Sequence, residues 1–329
     1  MIKVIIVDDL KTVRELIKVV IEKDPEIKVV GMANGGKSAI DIIPQLKPDI
    51  VLMDLRMPDM DGFQTVRHLM GICPTRILIV TASYTPKSDL VFKALEAGAL
   101  DLINKPPVYK IASDPNIGKI LIEKIKILSK AKITTGIESS IMRLQNFKFG
   151  MKQSGACNRV VAIAASTGGP NLPAGVVIVQ HMSKGFIQGL ADWLQSMSKI
   201  KIRVAQEGDM IKPGEVLFTP DTCHMIINNK GQIQYEDSPP VGGVKPSADI
   251  VLPSIAKYFG KNAIGVIMTG MGDDGARGIE CIKKEGGKTI AQNEETCAVF
   301  GMPKVAIERG VIDEIVPLDK IAETIIKYL

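Results

Sequence analysis

The sequence predicts an α/β protein of two domains, each built on a doubly wound sheet. Three observations predict it. Short apolar, β-branched runs alternate with helical periodicity through both halves of the chain. The alternation lapses once, between Lys132 and Asn158. Reactive side chains fall just beyond the apolar runs, the edge at which parallel sheets bind ligands. At 329 residues the chain is long enough to bury two cores.

In the first half, a strand is expected over Lys3 to Val7, where the apolar, β-branched run after Lys3 suits a strand buried on both faces of a parallel sheet. Helical spacing runs from Val13 to Ile21. A strand over Lys28 to Met32, a helix over Ser38 to Gln45, a strand over Ile50 to Met53 and a helix from Phe63 continue the alternation. A strand over Ile77 to Val80, a helix over Ser88 to Glu96, a strand over Leu100 to Ile103 and a helix from about Lys119 to Ala131 complete it. The expectation is a five-stranded, doubly wound parallel domain over 1–131.

Residues 132–158 read as a linker, since periodicity fades there and glycines and serines enter. Ile141, Met142, Leu144, Phe147 and Phe149 make it too apolar for a freely solvated tether. From 159 to 329 a second doubly wound α/β domain is expected. Its strands are Val160 to Ala165, Val176 to Gln180, Lys201 to Ala205, Val216 to Thr219, His224 to Asn228, Ile264 to Thr269 and Lys288 to Ala291, with a hairpin at Asn229-Lys230-Gly231. Its helices are Phe186 to Met197, Ala248 to Phe259, Gly275 to Glu285, Pro303 to Glu308 and Leu318 to Tyr328.

The net charge of +5 comes from basic and acidic residues interspersed along the chain, without the basic block that nucleic acid or a membrane surface would select. The five cysteines are far apart, which argues against a zinc site and a disulfide framework and fits a reducing cytoplasm. No run approaches 18 apolar residues and no leader pattern precedes the first strand, so neither export nor membrane insertion is expected.

Asp8 and Asp9 end one strand of the first half and Asp54 ends another. Three carboxylates at one sheet edge repel one another unless a hard cation sits among them, and Mg²⁺ suits such an oxygen-rich site. Lys105 offers a positive charge to a phosphoryl oxygen, and Thr81 a hydroxyl. Helix capping alone would explain a single aspartate but not the lysine.

In the second half Ser166 follows an apolar strand and precedes Thr167-Gly168-Gly169, a turn able to expose a hydroxyl beside free backbone N–H groups. His181 directly ends the next strand, and Asp274 lies just past the strand ending at Thr269. A serine, a base and an orienting acid at three strand ends meet the requirement for nucleophilic catalysis. His68 and His224 lack such company. Gly270 to Gly275 also spells GxGxxG, but Asp273 and Asp274 would repel a pyrophosphate where a dinucleotide site offers bare backbone.

The segments IIVDDL, VLMDLRMPDMDG, ILIVTAS and INKPP make the first half resemble the receiver domain of two-component response regulators. That resemblance implies that Asp54 is the phospho-acceptor and that Asp8 and Asp9 hold Mg²⁺ with the backbone carbonyl of Arg56. Thr81 is then the switch hydroxyl and Lys105 the phosphoryl sensor. Leu102 departs from the aromatic residue that receivers often carry there.

ASTGGP, VIVQHM, GVKPSAD, VIMTGMGDDGARG and TIAQNEETCAVFGMP make the second half resemble the catalytic domain of the chemotaxis protein-glutamate methylesterases. The resemblance implies Ser166 as nucleophile, His181 as general base, Asp274 as its orienter and the N–H groups of Thr167 and Met271 as the oxyanion hole. It also implies a glutamyl methyl ester on the cytoplasmic helices of a chemoreceptor as substrate, deamidation of receptor glutamines, and a histidine kinase as phosphodonor. The receiver is expected to cover the active-site edge until Asp54 is phosphorylated.

Ala164 stands where that family usually has glycine. Only about nine residues join the strand ending at Ala165 to the next, fewer than the ten to twelve of a parallel crossover with its helix, so a stretch between Pro170 and Asn171 is expected to be missing. That shortage keeps a non-catalytic output as one alternative. A DNA-binding output is the other, but it needs a helix-turn-helix with a basic recognition helix, against a glycine-rich parallel α/β pattern here.

Overall fold

In the computed structural model, which describes residues 1–81, 90–105, 115–133, 160–164 and 174–329, the chain divides into two units, Met1–Ser139 and Ser140–Leu329. The first is organised around strand β1 (Ile2–Val7), whose residues from Val4 to Val7 are all buried. Helix α1 (Lys11–Ile21) packs through Val13, Ile17, Val20 and Ile21, the spacing of one helical face. There follow β2 (Ile27–Ala33), α2 (Gly36–Leu46), β3 (Ile50–Met53), α3 (Gly62–Ile72), β4 (Ile77–Thr81), α4 (Leu90–Glu96), β5 (Asp101–Asn104) and α5 (Pro115–Leu128). All pairs are parallel and the strand order is β2-β1-β3-β4-β5. Every expected element among the described residues is present. α5 begins four residues earlier than expected, at a proline, whose fixed φ and missing N–H suit a first helical position.

The second unit holds β6 (Val160–Ala164), β7 (Gly175–Val179), α6 (Ile187–Met197), β8 (Lys201–Val204), β9 (Glu215–Phe218), β10 (His224–Ile227), β11 (Ile233–Glu236), α7 (Ala248–Phe259), β12 (Ala263–Ile267), α8 (Ala276–Lys284), β13 (Lys288–Gln292), α9 (Met302–Glu308), β14 (Glu314–Val316) and α10 (Ile321–Lys327). Seven strands form one parallel sheet in the order β14-β13-β12-β6-β7-β9-β8. β10 and β11 form a separate antiparallel hairpin, turning at Asn228 to Gln232 as expected. The strand β14 was not foreseen. Residues Leu318–Lys320, expected as the start of the last helix, are 3₁₀.

Strand β6, first in this unit, lies in the middle of its sheet, with β7 on one side and β12 on the other. The chain therefore reverses its winding direction beside β6, and ligands bind at such a switch point, beyond the carboxyl ends of the strands. Val160, Ala162, Val177 and Ile267 of these strands share a core with Val251, Leu252 and Ile255 of α7 and Ile279 and Ile282 of α8. α7 and α8 approach closely because residue 278 is glycine: a Cβ there would stand 2.6 Å from that of Leu252. Among the described residues no helix is long and apolar enough to cross a membrane.

Candidate active site and acid cluster

In the first unit Asp8 follows β1, Asp54 follows β3, Thr81 ends β4 and Lys105 follows β5, so four neighbouring strands deliver them to one edge. Asp8 and Asp54 are buried and Asp9 is exposed. One oxygen from each of the three carboxylates lies within 4.8 Å of the others. These all-oxygen donors fit a hard divalent cation. The Lys105 ammonium bridges two of them, 2.5 Å from Asp8 Oδ2 and 2.8 Å from Asp54 Oδ2.

Burial pushes the Asp8 carboxyl up, outweighing the lysine beside it. Burial would pull Lys105 down, but the hydrogen bonds and charges of Asp54 and Asp8 outweigh that and hold it above its ordinary value. Oδ1 of Asp54 accepts from the Leu55 N–H at 2.7 Å, which fixes the rotamer and leaves Oδ2 facing the cluster. Arg56 is exposed on the loop that follows. The Thr81 side chain is buried.

In the second unit His181 lies two residues beyond β7, and Asp274 lies in the loop between β12 and α8. Their side chains meet, with His181 Nε2 2.8 Å from Asp274 Oδ2. Nε2 thus carries the hydrogen it donates to the carboxylate, and Nδ1 is the ring nitrogen with a free lone pair. Asp274 is only 8 % exposed. Burial alone would raise its carboxyl, but hydrogen bonds from His181, Ser247 and the Ala248 N–H together hold it below the usual carboxylate range.

Four donors surround Asp274. Oδ1 accepts from Ser247 Oγ at 2.5 Å and the Asp249 N–H at 3.1 Å, and Oδ2 accepts from the Ala248 N–H at 2.7 Å besides His181. The carboxylate thus caps the N-terminus of α7. His224, read from sequence as isolated, belongs to this network: its Nδ1 accepts from the Ser247 N–H at 3.1 Å. The correction has a plain cause, since the contact joins residues 23 apart through a hairpin outside the main sheet. His68 is exposed on α3.

The loop from Thr269 to Gly275 is held to the segment before α9. Gly270 donates to the Val299 carbonyl, and Gly301 and Met302 donate back to the Gly270 carbonyl, at 3.0 to 3.1 Å. The Thr269 N–H is taken by Gln292 Oε1 at 2.9 Å. Between these anchors the Met271 N–H has no partner among the described residues, as an oxyanion donor requires. Asp273 is exposed. Ser166, Thr167 and the stretch around Pro170 and Asn171 lie outside the described residues. Strand β6, which leads to Ser166, is parallel to β7 and paired with it from Val160 opposite Gly175 to Ala164 opposite Val179.

A histidine–carboxylate pair of this kind can act as a base and its orienter beside a nucleophile. The CheB methylesterase family model matches residues 161–325, half of the chain, and the response regulator receiver domain model matches residues 4–110. A protein-glutamate methylesterase/protein-glutamine glutaminase of Pyrococcus horikoshii is 40 % identical over 343 residues, covering 99 % of this chain and 93 % of the relative.

The chain belongs to the CheB methylesterase family. A relative of the same name in Bdellovibrio bacteriovorus is 37 % identical over 348 residues, covering 100 % of this chain and 97 % of that one. Both alignments are longer than the 329-residue chain, so each CheB relative carries residues that this chain lacks. The crystal structure of the Thermotoga maritima CheB methylesterase catalytic domain is 38 % identical, covers 52 % of this chain and 98 % of its own, and superposes with a TM-score of 0.49.

Proposed function

We propose that this CheB family member is a phosphorylation-regulated serine hydrolase that removes methyl esters from glutamate side chains of chemoreceptors and deamidates receptor glutamines in chemotaxis adaptation. The observation that carries this function is the 2.8 Å pairing of His181 with the buried Asp274, in the segments that follow the two strands flanking β6. Residues 159–329 form the catalytic domain, 1–131 the receiver and 132–158 the linker.

In the reaction Ser166 Oγ attacks the ester carbonyl carbon while His181 takes the hydroxyl proton at Nδ1. Asp274 stabilises the imidazolium. The N–H groups of Met271 and Thr167 hold the tetrahedral oxyanion. Its collapse breaks the carbon–oxygen bond to the methoxy group, which leaves as methanol with the proton from His181. Water then attacks the acyl-serine, gives a proton to His181 and leaves a glutamate carboxylate. Ser166 recovers its proton. With a glutamine side chain the leaving group is ammonia.

Regulation enters through Asp54, phosphorylated by a histidine kinase, with Lys105 and Thr81 as partners of the phosphoryl group. Asp8, Asp9, Asp54 and the Arg56 carbonyl would hold Mg²⁺, which would neutralise charge on the phosphoryl oxygens. The enzyme acts in the cytoplasm, where receptor helices present the ester. Methanol release from methylated receptor membranes tests the function. Release by wild type and none by Ser166→Ala is expected, and equal release by both would defeat it.

A further inference from the structure

We infer that Ser247, anchored by the buried His224, is a positioning residue for the His181–Asp274 pair. Its effect on catalysis rests on the hydrolase function proposed above; its effect on the imidazole does not. Ser247 is fully buried at the N-cap of α7. A serine there ordinarily turns its oxygen to accept an N–H of its own helix. This one makes no such bond. The α7 N–H groups of Ala248 and Asp249 are occupied by Asp274, and the Ser247 hydroxyl donates to Asp274 Oδ1 instead, at 2.5 Å. The carboxylate does the capping and the serine does the orienting.

The main chain of Ser247 is held from the other side. His224 is fully buried, its Nδ1 accepts from the Ser247 N–H at 3.1 Å and its Nε2 donates to the Pro239 carbonyl at 3.1 Å. A carbonyl only accepts and an N–H only donates, so the two partners fix the ring's tautomer and orientation. A continuous relay of contacts runs from Pro239 through His224, Ser247 and Asp274 to His181 Nε2. Three of the four donors to Asp274 come from Ser247, Ala248 and Asp249, so the placement of this short segment sets the direction in which Asp274 holds the imidazole.

Ser247→Ala removes one donor from a buried carboxylate. The negative charge on Asp274 is then less offset, and the imidazolium of His181 is better stabilised. Among the described residues the other charged groups around the pair are Asp249, Asp273 and Arg277, none of which the substitution alters. The expected result is a fall in kcat of about tenfold with KM changed less than about twofold, and an upward move of the His181 titration midpoint.

The chain has three histidines, His68, His181 and His224, so histidine-labelled protein gives three imidazole signals, assignable by substitution. The experiment titrates these signals by NMR and measures methanol release in wild type, Ser247→Ala, His224→Leu and His224→Asn. His224→Leu is expected to move the His181 midpoint in the same direction, while His224→Asn, which keeps an acceptor for the Ser247 N–H, stays near wild type. An unmoved His181 midpoint in folded Ser247→Ala overturns the proposal, whether or not kcat falls. Should Ser247→Ala not fold, equal midpoints in the two His224 variants overturn it. Wild type without Ser166-dependent methanol release would defeat the hydrolase function while the imidazole titration still decides the positioning role.

Discussion

Asp274 and Asp249 cap each other's helices. Asp274, in the loop before α8, accepts from Ala248 and Asp249 N–H at the start of α7. Asp249, in the first turn of α7, accepts through Oδ1 from Gly275 N–H at 3.0 Å and Gly278 N–H at 2.8 Å at the start of α8. Each carboxylate lies at the positive end of the helix other than the one it adjoins in sequence. The helix starts are thereby locked together, and the loop bearing the His181 partner is fixed from both sides. Asp249→Ala removes the cap on α8 and is expected to destabilise the second unit by about 1–2 kcal/mol. Hydrogen exchange at the amides of Gly275 and Gly278 checks it. Exchange as slow as in wild type would contradict the capping role.

Asp274→Asn is expected to lower kcat by roughly 10³–10⁴. Every direction around the carboxylate is met by a donor: a hydroxyl, two main-chain N–H groups and the imidazole. Whichever way the amide turns, its NH₂ faces a donor, and the loss exceeds that of the charge alone. Methanol release within tenfold of wild type would contradict this.

The Asp274 carboxyl is held below its ordinary value of 3.8, so the folded state binds a proton there less readily than the unfolded chain. The resulting stability is complete above the ordinary value and is lost as pH falls through the depressed folded value. In a His181→Gln background, where no imidazole titrates beside the carboxylate, the stability gap opened by Asp274→Asn should therefore stay level between about pH 7 and pH 5, closing only in stronger acid. Urea unfolding of the second unit at a series of pH values measures the gap. A gap already narrowing at pH 6 would count against it.

Asp54→Ala should keep the basal esterase activity and lose activation by a small-molecule phosphodonor, since Asp54 lies in the first unit and the His181–Asp274 pair in the second. Rates with and without phosphodonor and Mg²⁺ decide it. Activation equal to wild type would remove the regulatory role from Asp54.

Much of this was legible because parallel sheets advertise themselves. β3, β12 and the last four residues of β1 are buried, unbroken apolar runs, and the chain just after each run is at the ligand-binding edge. Asp8 and Asp54 were singled out in that way, and the structure brings them together at Lys105; His181 and Asp274 were singled out just past strand ends, and their side chains meet. β14 was missed because it is three residues long at the edge of its sheet, with Ile315 52 % exposed and no apolar run to betray it. Ser247, Asp249 and His224 were passed over for another reason. Ser247 and Asp249 lie in a conspicuous motif and His224 does not, but the roles of all three come from hydrogen bonds to residues 23 to 29 positions away, and no periodicity encodes those.

Lys105 follows the outermost strand of the first sheet, yet its ammonium reaches Asp8 and Asp54 on the inner strands β1 and β3. One strand lies between β3 and β5, so the side chain works as a strap across about 10 Å of sheet. The margin of the sheet and its two central carboxylates are thereby joined by a single ionic tie.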